Sequence, residues 1–552
     1  MSFALLWIEV AAVSLLWVAT LTACTARMKR NWARRMAVAA VAILPLAVLG
    51  GFVATAAVLK FGAQLETNWF EYAVSLLAVY LIGTIAIIRQ GARRPEAGMG
   101  RRAVGWSRGH LALALLTVAA ITTMTLWNMD LEMRGRAASM RVEAGALMVA
   151  VAPPSTSDAQ NAALVYEKAF TRIAADAALR EASSTWDDQT PDLAEPTTAA
   201  ILARHASTIA MLRQAGALPE CRFEHDFAHP SFSILLPELA QVRTAASLLR
   251  LHARSEIAQG RVNSAMTDMG AIFQLGAHLG REPLIVCSMI AFGIDSFGAN
   301  ALQEMLPAVT RPEQLAGLNI ANASSIPHIM RRSLQGEEAF GLTTFADVAA
   351  GRLSEFDVRG ISVPPESSGV PSLGDAFAGG LFRLFLLTDD VDAYRSAMQQ
   401  FQQAAVEPYS QSRTRLAQIE RGIQEHPKGL LTNVIIPALM TSIKRSARVQ
   451  AMHEMAQAAV AATRYRLDRG AFPAKLADLM PKYLDEVPVD PFDGNPLRMS
   501  VKDGSVVIYS IGPDGKDDGG APFDDKKRTG DFVFHLKPPI PATQPATAPA
   551  EN

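Results

Sequence analysis

The sequence predicts a mainly α protein built as four transmembrane helices, an all-α helical domain outside the cytoplasm, and a small α+β domain at the C-terminal end. Three observations carry that expectation. Long apolar runs are concentrated before residue 134, 3- and 4-residue apolar spacing dominates from there to about 449, and period-2 alternation of the kind that makes strands becomes plain only after 497. The expected division is therefore 1–134 in the membrane, 135–449 helical with a loop excursion at about 340–380, 450–537 α+β, and a Pro/Ala-rich tail at 538–552, too core-poor to fold.

The membrane segments come first in the chain. Residues 3–26, 36–58, 70–88 and 110–127 are each apolar over about 20 residues, the length that crosses a hydrocarbon core. Arg27, Lys29, Arg30, Arg34 and Arg35 lie between the first two segments, and Arg89, Arg93, Arg94, Arg101, Arg102 and Arg108 between the last two. Cations stay on the cytoplasmic side, so the N-terminus and everything after Trp127 are expected to face outward from a bacterial inner membrane. Arg134, Arg136 and Arg141 pull weakly the other way. Leu21-Thr22-Ala23-Cys24 imitates a lipoprotein box, but no Lys or Arg precedes the first apolar run and Glu9 lies in it, so a membrane helix is expected there rather than a cleaved signal.

Composition narrows the classes of function. Half of the 552 residues are hydrophobic, which suits a chain partly in lipid, and the formal net charge of −1 offers no basic excess for nucleic acid. The three cysteines, Cys24, Cys221 and Cys287, provide neither a disulfide framework nor a cysteine zinc site. Cys221 and Cys287 would share an oxidising compartment and could pair if their backbones approach, although Cys287 in LIVCSMIAF reads as a buried thiol.

In the helical domain, residues 158–215 read as helices with Asp158 as an N-cap and Tyr166, Ala169, Phe170 and Ile173 on the inner face. Further helices are expected at 235–258, 262–279, 283–306, 311–323, 390–425 and 430–468. The pair around Gly260, with Ala265 at the crossing, resembles one tetratricopeptide unit; a single unit argues for a bundle, with a solenoid as the alternative. Candidate chemistry is sparse. Glu224, His225, Asp226 and His229 could together bind zinc, but they lack the helix-borne H-E-x-x-H spacing, Pro230 argues for a loop, and the histidines read as structural or solvated groups. Glu337 with Glu338 reads as a solvated helix face, and Asp389, Asp390 and Asp392 as acids at a helix N-terminus. No nucleophile-elbow, P-loop or H-E-x-x-H motif occurs.

The tail has the most specific pattern. A helix ends at Gly470 and Pro473, Leu476, Leu479 and Leu484 form a short apolar patch, and LRMSV and SVVIYS flank Asp503-Gly504, a tight-turn pair. DFVFHL supplies a third alternating strand, giving one long helix on a three-stranded antiparallel sheet. Tyr465, Asp468, Gly470, Phe472 and Pro473, then Leu479, Tyr483, Leu484, Pro488, Asp490, Pro491, Gly494 and Pro496, and finally Tyr509, Gly512, Asp514 and Gly515 follow a known series. By these residues the tail resembles the C-terminal domain of the major pseudopilin of bacterial type II secretion systems. It is also similar to the tail that uncharacterised bacterial multi-pass membrane proteins carry behind a helical extracytoplasmic region. The resemblance covers about 451–536. It does not extend to a basic prepilin leader or a cleavage glycine, so processing or polymerisation as a pilin is not expected.

The resemblance implies calcium. In those pseudopilins the loop after the strands binds the ion through aspartates and carbonyls, and here Asp514 and Asp531 match while Asp517 and Asp518 lie near enough to contribute. A solvated acidic turn is the plainer reading of SIGPDGKDDGG. Two functions follow: a non-enzymatic, membrane-anchored scaffold or protein-binding module, associated with secretion or envelope assembly, or an envelope hydrolase whose dispersed site includes His225, Asp226 and His229. A deep polar pocket would favour the second and a shallow groove the first. The expected partners are the lipid bilayer and a protein, without nucleic acid.

Overall fold

The computed structural model describes residues 99–186, 191–230, 236–320, 325–353, 382–384, 386–425, 432–502 and 504–538. The first three apolar segments, the stretch 354–381 that makes up most of the expected loop excursion, and most of the C-terminal Pro/Ala tail lie outside the described residues. Within them the protein is mainly helical with one small antiparallel sheet. The chain divides into two compact units, Met1–Arg136 with Ala376–Leu386, and Ala137–Asp375 with Leu387–Asn552.

In the first unit the described backbone is the start of α1 (Met99–Val151), which includes the fourth apolar segment, together with 382–384 and Leu386. At its polar end Asp130 pairs with Arg134 one turn on and with Arg383, and Arg136 pairs with Glu132.

The second unit begins in α1, where Ala137, Met140, Ala144 and Met148 are buried at 3- and 4-residue spacing. Then come α2 (Ala162–Ala175), α3 (Ala177–Thr185), α4 (Pro196–Arg204) and α5 (Ala206–Gly216). The predicted inner face of α2 is observed, with Tyr166, Ala169, Phe170 and Ile173 all buried. Its cap is Asn161 rather than Asp158. The Asn161 carboxamide oxygen accepts from Ala163 N at 3.1 Å and from Arg222 N at 2.9 Å, so tertiary contact with a later segment fixes where the helix starts.

The hairpin around Gly260 is formed by α6 (Leu239–Ala258) and α7 (Val262–Leu279). Gly260 has φ of 76°, the left-handed turn that glycine adopts without strain, and Ala265 is fully buried. Asp268, without exposed surface, accepts from Arg213 Nε at 2.6 Å and His252 Nδ1 at 2.7 Å, tying α5, α6 and α7 together at one end. Next is α8 (Ile285–Met305). With the following turn, Ile285–Ala308 is long and apolar enough to cross a bilayer, yet 50% of its apolar window is buried inside the folded unit, as in a core helix.

Of the helix expected at 311–323, residues 321–323 lie outside the described residues, and the part from 311 to 320 holds a single 3-10 turn, Pro312–Leu315. Gly317 passes so close to α7 that a Cβ there would lie 2.5 Å from Thr267 Oγ1, and that approach wins over helical continuation. α9 (Ser325–Ala349) runs through about the first quarter of the stretch expected to be loop. The single helix expected at 390–425 is two, α10 (Leu387–Val406) and α11 (Tyr409–Glu425), because Pro408 removes an amide and disfavours helix at Glu407.

α12 (Thr432–Arg469) crosses the expected domain boundary at 449/450 without interruption and packs on both α8 and the sheet. It stops at Gly470, whose φ of 80° and hydrogen bond to Arg466 O at 2.8 Å form a left-handed cap. The sheet is β1 (Arg498–Lys502), β2 (Ser505–Ser510) and β3 (Phe532–Leu536) in sequential antiparallel order. Lys502 pairs with Ser505, leaving a two-residue turn with Gly504 at φ of 74°. Val506 opposite Leu536 and Ile508 opposite Phe534 are buried and form the rows that pack under α12.

Candidate functional site

The acidic loop joins β2 to β3. It is closed by bridges pairing Pro522 with Asp531 and Asp524 with Thr529, and Gly512, Gly515, Gly519 and Gly520 all take positive φ, which lets the backbone fold back on itself. Asp531 has no exposed surface. Its carboxylate accepts from Gly520 N at 2.7 Å and Asp518 N at 3.3 Å. Burial, reinforced by the negative charges of Asp517 and Asp518, raises its pKa above the usual carboxylate value. Asp514 accepts from Lys516 N at 3.2 Å and from Gly530 N at 3.4 Å, and so spans the two ends of the loop. Asp517 accepts from Gly519 N at 3.0 Å and faces Arg498 Nε at 3.3 Å, while Asp518 is exposed.

The donor chemistry of this loop suits a hard cation. The like charges of Asp517 and Asp518 add to the effect of burial on Asp531, and a cation would relieve that repulsion. The geometry is less complete. Among the described residues no three His, Cys, Asp or Glu groups converge closely enough to hold a metal ion. Backbone N–H groups and Arg498 meet the carboxylates instead.

No motif singles out Arg498, yet it organises the tail. From β1 its guanidinium reaches Asp490 at 3.0 Å, Asp493, and Asp517. Asp490, fully buried, also accepts from Phe492 N at 3.0 Å, Ile511 N at 2.9 Å and Ser510 Oγ at 2.8 Å. One fixed cation therefore joins the segment before β1 to the acidic loop after β2. A signal existed: an arginine at the start of a strand, in a tail rich in aspartates, has to find carboxylates.

In the helical part the string Glu224, His225, Asp226 and His229 divides between two environments. Residues 221–226 have no regular secondary structure and turn at Asp226, where Phe227 N donates to His225 O at 3.0 Å; Cys221, Phe223 and Phe227 are buried while Glu224 and Asp226 are exposed. His225 falls on the inner side between the Phe223 and Phe227 rings, with its side chain 5% exposed and Nε2 3.2 Å from Glu238 Oε1. Asp226 and His229 instead form a separate exposed pair at 3.0 Å. The alternation C-R-F-E-H-D-F carries this division in the sequence itself.

Behind His225 lies Glu282, which has no exposed surface. It accepts from Phe223 N at 3.3 Å, and burial pushes its pKa up to about 7. Burial by itself would lower the His225 pKa, but the contact with Glu238 and the charges of Glu282 and Glu167 outweigh it and raise the value. Both His225 and Glu282 are therefore biased toward their protonated forms. The pair is enclosed by the segment it anchors, which presses on α1 so closely that a Cβ at Gly145 would stand 2.6 Å from Ala228 O.

The remaining candidates are structural. Cys221 and Cys287 are buried free thiols whose pKa values are raised by burial and by the negative charge of Glu282. Glu337 and Glu338 do not form a solvated face: Glu337 accepts from Ile285 N at 3.2 Å with its pKa pushed to about 7 by burial, and Glu338 accepts from Gln402 at 2.6 Å. Asp389 and Asp390 occupy the first turn of α10 as expected, and Asp390 is buried, accepting from Thr432 Oγ1 at 2.5 Å and Thr432 N at 3.2 Å. No protein-family model, curated protein or solved structure matches this chain.

Proposed function

We propose that this protein is a membrane-anchored scaffold that presents a protein-binding module outside the cytoplasm, in secretion or envelope assembly. The four apolar segments anchor it in the bacterial inner membrane, with the N-terminus and the C-terminal region outside. The observation that carries the reading is that the tail and the helical body share one core. α12 runs without a break from packing on α8 to packing on β2 and β3, so the pseudopilin-like tail is a fixed part of a larger rigid surface. The clustered titratable groups of the helical body are enclosed. His225 and Glu238 have side chains only 5% exposed and Glu282 none, an arrangement that holds a segment in place. The hydrolase alternative would need Asp226 and His229 to work with His225, and these residues do not share a site.

Calcium belongs to the same proposal. Asp514, Asp517, Asp518 and Asp531 would hold it, and bound there it would supply the positive charge that their mutual repulsion calls for. A photo-crosslinking amino acid placed at exposed positions of the helical body tests the module reading in intact cells. A discrete protein adduct from one face is expected. Absence of adducts from every face, together with hydrolytic activity of the purified protein lost in His225→Ala, would favour the enzyme.

A further inference from the structure

Residues 221–229 close over the helical body with few fastenings. Asn161 holds them at one point, donating from Nδ2 to Arg222 O at 3.0 Å and accepting from Arg222 N at 2.9 Å. The next fastening among the described residues is the hydrogen bond from Phe223 N to Glu282 Oε1 at 3.3 Å. By contrast, the bond from Phe227 N to His225 O and the pair of His229 with Asp226 stay inside the segment. Its inward side carries the buried Cys221 thiol and the buried Phe223 and Phe227 rings, and Ala228 O abuts Gly145 of α1.

Under this segment three buried side-chain atoms have no hydrogen-bond partner, His225 Nε2, Glu238 Oε1 and Glu282 Oε2. His225 Nε2 and Glu238 Oε1 stand 3.2 Å apart as an ion pair without hydrogen-bond geometry. Glu282 has no exposed surface, and of its two oxygens only Oε1 meets a donor. A neutral carboxyl tolerates that place. A carboxylate there is a buried charge with one oxygen unmet, in the same enclosed space as Glu238.

The surrounding charges do not remove that cost. His225 and Arg222, both on the segment, attract an ionised Glu282 and oppose release, but burial outweighs them and pushes its pKa to about 7. Glu238 adds negative charge, and Glu167 on α2, itself beside Glu224, acts on His225. Arg281 is drawn to Glu220 at 2.5 Å, burial keeps the Cys221 and Cys287 thiols protonated, and His278 on α7, 3.1 Å from Tyr166 Oη, is kept neutral by burial. On α1, Arg141 and Glu143 are engaged with Asp347 and Arg395, and on α9 Glu337 accepts from Ile285 N.

We propose that residues 221–229 form a pH-released strap, closed on the helical body while Glu282 is neutral and opening about Glu220 once Glu282 ionises. Glu220 is the pivot because its carbonyl is tied to Ala162 N at 2.8 Å. The closed form holds the Glu282 proton more tightly than the open form, so this preference for closure is full below about pH 4.5 and lost as pH rises through 7. Loss of the His225 proton works in the same direction. Opening hydrates Glu282, uncovers the Cys221 thiol, and frees both Asn161 at the head of α2 and Gly145 on α1.

The two buried thiols report on this in the full chain held in phosphatidylcholine nanodiscs, since Cys221 lies on the strap and Cys287 in α8. Dithiodipyridine modifies thiols in acid as well as in base, and mass spectrometry follows each site from pH 5 to 8. Wild type is compared with Glu282→Gln, which keeps the size of the side chain and a neutral acceptor for Phe223 N. Cys221 should react faster than Cys287, because only the strap opens. Dividing the Cys221 rate in wild type by that in Glu282→Gln cancels the pH dependence of the thiol itself. That ratio should rise about tenfold or more from pH 5 to pH 8, as expected for a carboxyl that titrates near 7 when closed and near 4.5 when open. A flat ratio overturns the proposal. Equal rates at Cys221 and Cys287 also overturn it, because opening would then be global unfolding. If Glu282→Gln fails to fold, the wild-type Cys221 rate is divided instead by that of a synthetic 217–228 peptide, and the same rise is required.

Discussion

Replacing Arg498 with glutamine should loosen the whole C-terminal part. In the wild type its guanidinium faces Asp490 at 3.0 Å, Asp493, and Asp517 at 3.3 Å, and the arginine side chain is 22% exposed. Removing one partner of a buried ion pair costs about 3–5 kcal/mol. Two features of the site reduce that figure: Arg498 is partly hydrated, and Asp490 keeps three other donors, Phe492 N, Ile511 N and Ser510 Oγ. A loss of about 2–3 kcal/mol is therefore expected, read in thermal melting of the full chain as a fall of about 3 °C. Burial already raises the Asp490 pKa, so the orphaned carboxylate should take up a proton more readily in the variant. Neutralising it in Asp490→Asn/Arg498→Gln should return part of the loss, because less charge is stranded; the double-mutant cycle would then show coupling of about 1 kcal/mol or more. A melting temperature within 1 °C of wild type, which is ~0.9 kcal/mol or less, would refute the clamp.

The buried Glu282 gives an unusual pH dependence. The folded protein keeps its proton up to about pH 7 while an unfolded glutamate releases it near 4.5, so this contribution is full below 4.5 and lost as pH rises through 7. It amounts to up to about 3 kcal/mol, and His225, whose pKa is also raised, adds in the same direction. Glu282→Gln should flatten the fall in melting temperature between pH 5 and 8; an unchanged slope would show that Glu282 does not carry it. Calcium at about ten times its dissociation constant should stabilise the folded chain by about 1.4 kcal/mol. Asp514→Ala should remove most of that increment, and identical melting curves in calcium and in chelator would leave the loop as a solvated acidic turn.

The readable parts of this chain were those in which local rules and tertiary packing agree. The Gly470 stop, the turn at Gly504 and the alternation of SVVIYS and DFVFHL each name an element, and all are found where they were expected. The helix expected at 311–323 failed because the approach of Gly317 to Thr267 overrides propensity, a constraint set by a segment 50 residues earlier. Pro408 was a legible break that the long apolar periodicity of 390–425 concealed. Of the candidate site, the acidic loop was legible through its glycines and aspartates, but its contact with Arg498 depends on strand register. Glu282 was invisible for a similar reason: a lone acid in REPLI says nothing about the segment that covers it.

Whether the large C-terminal region lies outside the cytoplasm can be read directly with a reporter that is active only there. Fused after Leu536 in the intact chain it should be active, and inserted in the loop at 89–108 it should be silent. An inactive fusion after Leu536 with an active one at 89–108 would place the helical body and its acidic loop in the cytoplasm, and would contradict the scaffold reading at its base.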